Sequence, residues 1–139
     1  MLYLDSCVVV ALLVPEPHSS RADSWMTAKA GVEIALSGWV EAEVAAALSA
    51  KARLGQLDPA RSRNARAGLA ALAASTKSLP IERRHFAAAA RFAEIEAAKL
   101  RGGDALHLAI AADVGATLCT LDNRLAEACA TVGVPFDLI

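Results

Sequence analysis

Apolar residues fall in two patterns along this chain: short unbroken runs and longer stretches at helical spacing, in alternation. The first run, Met1–Leu4, stops at Asp5, which suits a buried strand ending in a polar residue. Ser6 then opens a helical stretch to Leu13, and Pro15 ends it. A second helix is expected from Ser19 or Ser20 to about Ala30, followed by a strand at Val32–Leu36. Ser37 precedes a long helical run, Trp39 to Leu54, closed by Gly55. Asp58-Pro59 supplies an N-cap and a proline at the first helical position of the next helix, which reaches about Ala74. Lys77–Ile81 reads as a third strand, Glu82–Leu100 as a helix broken by Gly102-Gly103, and Asp104–Val114 as a helix closed by Gly115. Thr117–Leu121 is a fourth strand and again ends at an acid, Asp122; Arg124–Thr131 is helical and Val134–Leu138 a last strand.

Strands separated by helical segments indicate an α/β protein with a parallel sheet and crossover helices. The two helices between Trp39 and Ala74 form a hairpin on one side of it. A length of 139 residues suits one domain with one core, residues 1–139.

Composition narrows the function classes. Fourteen Lys and Arg nearly balance fifteen Asp and Glu, so any contact with nucleic acid must use a local patch rather than global charge. The apolar N-terminus has no basic residue before it and is too short to span a bilayer, and no later stretch reaches transmembrane length. It reads as a strand and helix rather than a signal peptide, and no membrane partner is expected. Cys7, Cys119 and Cys129 lack metal-ligand spacing and are odd in number, which fits buried apolar thiols in a reducing cytoplasm.

In parallel α/β sheets, ligands bind beyond the carboxyl ends of the strands, where the strand order reverses. Two strands end there in an acid, Asp5 and Asp122. Each also precedes a helix, so N-capping is the competing explanation for either one. Asp104, after Gly102-Gly103, would by itself read as a helix-opening acid favoured by the helix dipole. His107 lies three residues on and shares its face, where a lone histidine is ordinarily packed or hydrogen-bonded. Glu41 and Glu43 point roughly 160° apart around their helix. The stripe of Val40, Val44, Ala47 and Leu48 passes between them, so periodicity does not say which turns inward.

Taken together, Tyr3-Leu4-Asp5-Ser6, Ala42-Glu43-Val44, Gly103-Asp104-Ala105-Leu106-His107-Leu108-Ala109 and Thr120-Leu121-Asp122 resemble the four acidic motifs of PIN domains, in order and approximate spacing. They are most similar to the VapC-type toxins of toxin–antitoxin pairs. The resemblance covers essentially the whole chain, and its most specific piece is the Asp-Ala-Leu-His-Leu-Ala run. It implies a Rossmann-like α/β/α sandwich with four to five parallel strands, and hydrolysis of RNA phosphodiester bonds. It selects Glu43 over Glu41. Asp5, Glu43 and Asp104 become the metal-binding core, with Asp122 as the fourth acid and Ser6 and Thr120 as supporting hydroxyls. One departure is Gly102-Gly103, where relatives often carry a residue such as alanine.

Magnesium or manganese suits such a site, since hard cations take oxygen ligands and no Cys/His set favours zinc. A bound cation polarises the scissile phosphate and acidifies water, so 5′-phosphate and 3′-hydroxyl ends are the expected products. Cations for the RNA are sought in Lys51, Arg53, Arg61, Arg63 and Arg66 of the hairpin, and above all in Arg124, two residues from Asp122. Aromatic residues make up 4% of the chain, so base stacking is sparse. The resemblance further implies a cognate antitoxin over the active groove and a homodimer. Val8, Val9, Val10, Leu12, Leu13, Trp25 and Trp39 are candidates for such contacts, against ordinary core packing. A haloacid-dehalogenase-type phosphohydrolase would need Asp-x-Asp where Asp5-Ser6-Cys7 stands, and a phospho-receiver would need a lysine near Thr120-Leu121-Asp122. A PIN fold used only as a scaffold or RNA-binding module would not need all four acids.

Overall fold

The computed structural model describes residues 1–139. Five strands, β1 (Leu2–Leu4), β2 (Ile34–Ser37), β3 (Lys77–Leu79), β4 (Thr117–Thr120) and β5 (Phe136–Leu138), form one sheet in the order β3-β2-β1-β4-β5. Every pairing is parallel, with Leu2 beside Ile34 on one side of β1 and Leu4 beside Cys119 on the other. The chain steps outward from β1 to β3, then returns to lay β4 against the opposite edge of β1. The strand order therefore reverses between β1 and β4, the position where a parallel sheet leaves a crevice at its carboxyl edge.

Seven helices make the crossovers: α1 (Ser6–Leu13), α2 (Ser19–Ala28), α3 (Gly38–Arg53), α4 (Pro59–Ser75), α5 (Arg83–Ala93), α6 (Gly102–Asp113) and α7 (Asn123–Val132). Right-handed crossovers in opposite directions deliver helices to opposite faces. The contacts divide accordingly, α1 with α2, α3 and α4, and α5 with α6 and, through a short 3₁₀ turn at Glu96–Ala98, α7. The core joins Tyr3, Leu4, Leu36 and Leu118 of the sheet to Val8 and Val9 of α1, Val40, Val44 and Leu48 of α3, and Leu108 and Ile110 of α6. Val10 is buried too, and Leu12, Leu13, Trp25 and Trp39 pack against this cluster half-buried, so core packing accounts for most of that apolar set.

Local chemistry explains most of the boundaries. Asp58 accepts a hydrogen bond from the Arg61 N–H at 2.8 Å and Pro59 takes the first helical position, as their order in the sequence implies. Strands β2, β3 and β5 shift by up to two residues from expectation, and two helix boundaries differ in kind. The helix after β3 ends at Ala93 instead of running to Leu100, and the chain then turns through Lys99, which has a left-handed backbone (φ 48°). Gly102 and Gly103, read as a break, form the first turn of α6, with Arg101 as its N-cap. From Ala105 to Ala111 every residue of that helix is buried, so packing holds a helix that the glycine pair alone would disfavour.

Candidate metal centre

Asp5 leaves β1 at the reversal point and is 6% exposed, although a helix starts directly after it. Its carboxylate does not cap that helix. Oδ2 instead accepts from the Thr120 hydroxyl at 2.7 Å and the Cys7 thiol at 2.9 Å, and Oδ1 accepts from Ser6 at 3.3 Å. Three donors from β4 and α1 thus fix a buried charge that would otherwise be costly. Thr120 also accepts from the Asp122 N–H at 3.0 Å, tying the two acid-bearing strand ends together. Burial, then the Asp5 charge and hydrogen bond, push the Cys7 thiol up to about 12, so it stays protonated as a donor.

Asp122 looks equivalent in the sequence and is used differently. It is exposed, and its Oδ1 accepts from the N–H groups of Arg124 (2.7 Å) and Leu125 (3.4 Å) at the start of α7. The capping explanation therefore holds for Asp122 and fails for Asp5. Asp122→Ala is expected to cost about 1 kcal/mol in chemical denaturation, and Asp122→Asn, which keeps a capping oxygen, a fraction of that.

Glu43 sits on α3 and meets α6 across the crevice. Its Oε2 accepts from His107 Nε2 at 2.7 Å, while the same nitrogen lies 3.5 Å from Asp5 Oδ1. One ligand-type atom from each of Asp5, Glu43 and His107 lies within 4.8 Å of the others. Burial raises the Glu43 carboxyl, but the hydrogen bond and charge of His107, with a smaller contribution from Ser6, outweigh it and hold Glu43 below the usual carboxylate range. The Trp39 Nε1 itself is buried without a hydrogen-bond partner. Glu41 does not join the group.

Asp104, on the third residue of α6, stands outside that tight trio but within reach of its charge. Burial raises its carboxyl, and the charges of Asp5 and Asp122 raise it further, which outweighs the opposing pull of His107 and the Arg101 backbone. Acids that repel one another at the crevice of a parallel sheet suit a hard divalent cation, and the oxygen donor set agrees. Gly103 completes the wall. A Cβ there would meet Glu43 Oε1 at 3.2 Å and the Trp39 ring at 3.4 Å, so the glycine lets the helix bearing Asp104 approach Glu43.

Among the cations, Lys51 is paired with Glu16, Arg61 with Asp58, and Arg66 donates to Ser49. Arg53, Arg63 and Arg124 are exposed and enter no ion pair. Arg124 lines a groove of about 440 Å³ with Cys7, His18 and Asp122, and Cys7 in its wall donates to Asp5. The contacts of Cys7 and His107 were not apparent from sequence. Cys7 reads there as an inert buried thiol, yet it is part-exposed and serves Asp5. One usable signal is Tyr3, whose hydroxyl in a buried strand requires a polar partner and finds His107 and Ser37.

A five-stranded parallel sheet that brings Asp5, Glu43 and His107 together at its reversal point, with Asp104 near enough to feel the Asp5 charge, has the architecture of a PIN domain. The sequence profile of the PIN domain matches residues 2–130, and the chain belongs to the PIN-domain family. It is 33% identical over 139 residues to ribonuclease VapC47 of Mycobacterium tuberculosis (strain CDC 1551 / Oshkosh), spanning 96% of this chain and 93% of that protein. Its fold is similar to that of Mycobacterium tuberculosis VapC20, a toxin that cleaves the sarcin–ricin loop (TM-score 0.73, 15% identity, 92% of this chain and 95% of that one). It is likewise similar to VapBC2 from Rickettsia felis, solved with a DNA fragment from its promoter (TM-score 0.70, 19% identity, 99% and 98% covered). No helix is long and apolar enough to cross a membrane.

Proposed function

We propose that this chain is a single-domain endoribonuclease, dependent on Mg²⁺ or Mn²⁺, that acts as the toxin of a VapBC-type pair in the cytoplasm. The observation that carries this reading is the meeting of Asp5 and Glu43 at the crevice between β1 and β4, with Asp104 close enough for the Asp5 charge to raise its carboxyl. The 33% identity to a ribonuclease along nearly the whole chain supports the same reaction class.

In this reading Asp5, Glu43 and Asp104 hold the cation, with Asp122 at the rim. When bound, such a cation supplies Lewis-acid polarisation of a phosphodiester and acidification of water. The chain's own residues prepare the site. Thr120, Cys7 and Ser6 orient Asp5, and His107 holds Glu43. Arg124 lies along the adjoining groove and offers a guanidinium to an RNA phosphate. A cognate antitoxin over that groove and a homodimer complete the proposal; the similar fold of the VapBC2 structure from Rickettsia felis supports a paired antitoxin.

The test is incubation of partner-free protein with end-labelled RNA and Mg²⁺ or Mn²⁺. Discrete fragments with 5′-phosphate ends, absent in EDTA, are expected. Intact RNA across a broad structured set, from folded protein, would favour a silent scaffold instead. Gly103→Ala is a finer probe. Alanine gains up to about 1 kcal/mol of helix propensity, yet its methyl group presses on Glu43. Thermal stability is therefore expected to hold or rise while Mn²⁺ binding weakens about tenfold.

A further inference from the structure

A buried chain of hydrogen bonds runs from Ser37 through Tyr3 to His107 and ends on Glu43. We propose that His107 is a positioning residue for Glu43: its Nε2–H holds one carboxylate oxygen and leaves the other for a cation, while Tyr3 and Ser37 hold the ring. The inference rests on the metal-centre reading of Asp5 and Glu43.

The polarity of the last link follows from chemistry. An ionised carboxylate only accepts, so His107 Nε2 carries a proton in either charge state of the ring. The other ring nitrogen meets the Tyr3 hydroxyl at 3.0 Å, and that hydroxyl meets Ser37 Oγ at 2.7 Å. His107 is 1% exposed and Tyr3 and Ser37 fully buried, so the imidazole sits in a rigid socket. The Tyr3 ring is tilted against it with centroids 5.8 Å apart.

Glu43 needs such a holder. It comes from α3, its side chain is 29% exposed, and a free glutamate has rotamers that lead into solvent. His107 fastens Oε2 at 2.7 Å, while Oε1 lies over Gly103. Because His107 and Asp104 stand three residues apart on α6, the same bond ties the α3 acid to the helix bearing the third acid. Carboxylates that ligate metals are themselves commonly oriented by hydrogen bonds, and loss of such a partner weakens binding.

The experiment is Mn²⁺ and Mg²⁺ titration calorimetry on wild type, His107→Leu, His107→Gln and Tyr3→Phe, each with its thermal midpoint recorded. The leucine variant is expected to bind both ions about 10–100-fold more weakly. Glutamine, whose amide N–H replaces the Nε2 donor, is expected to recover most of that loss. Tyr3→Phe leaves the ring looser and is expected to lose several-fold. Wild-type affinity in the leucine or phenylalanine variant would overturn the proposal. So would a glutamine variant no better than leucine at equal stability, or a loss confined to Mn²⁺, which would make the ring itself a ligand. Should the leucine variant not fold, glutamine and phenylalanine decide the matter. A wild type that binds neither ion refutes the metal-centre reading itself.

Discussion

Asp5→Asn is expected to yield a folded protein whose metal-dependent RNA cleavage falls by about 10³-fold or more. The amide is nearly isosteric, and its oxygen still accepts from Thr120 at the end of β4, so the crevice keeps its shape. What changes is charge. Asp5 is the most buried of the four acids, and removing it takes a full negative charge from a position shielded from water. Losing one preorganised electrostatic partner in such a site typically costs 10²–10³ in rate, and a lost metal ligand costs more. The checks are single-turnover cleavage and a circular dichroism melt. A variant that cleaves within about tenfold of wild type would move the chemistry away from Asp5.

Asp104→Asn is expected to separate stability from activity. In the metal-free protein, burial and the charges of Asp5 and Asp122 raise the Asp104 carboxyl. A raised carboxylate binds its proton more tightly folded than unfolded. Its stability cost is therefore absent below the unfolded value of about 3.9, grows as pH rises through the raised folded value, and is full at neutral pH. Asparagine removes that cost. The metal-free variant should match wild type in acid and exceed it at pH 7 by up to about 1 kcal/mol, since Asp104 is part-exposed and screened. Manganese at a hundredfold excess over its Kd adds about 2.7 kcal/mol to wild type, and the variant should gain much less and lose cleavage. Denaturant titrations at two pH values, with and without Mn²⁺, read all of this. A less stable metal-free variant that still cleaves would make Asp104 a helix-opening acid and nothing more.

The contrast among the acids shows what a sequence of this kind carries. The alternation of short apolar runs with helical periods announces the parallel sheet, and punctuation such as Asp58-Pro59 marks helix starts to within a residue or two. The stretch after β3 misleads because its alanines continue a helical pattern that the chain abandons at Glu94. Gly102-Gly103 misleads in the opposite sense, since their value is spatial: Gly103 stands against Glu43 and Trp39, far away in sequence. Asp5 and Asp122 each follow a strand and precede a helix, and only the tertiary structure gives Asp5 to Thr120 and Cys7 while Asp122 caps α7. Periodicity leaves Glu41 and Glu43 open and the motif resemblance selects Glu43; in the structure it is the Glu43 side chain that reaches His107. His107 is legible in the sequence as a packed or hydrogen-bonded residue but its partners are not, because Tyr3, Asp5 and Glu43 lie remote from it along the chain.

The most direct test of the metal centre is diffraction from crystals grown with Mn²⁺, with anomalous scattering used to locate the ion. A peak within coordination distance of the Asp5 and Glu43 carboxylates, in the crevice between β1 and β4, is the predicted result. Full Mn²⁺ occupancy elsewhere, with that crevice empty at saturating concentration, would contradict it.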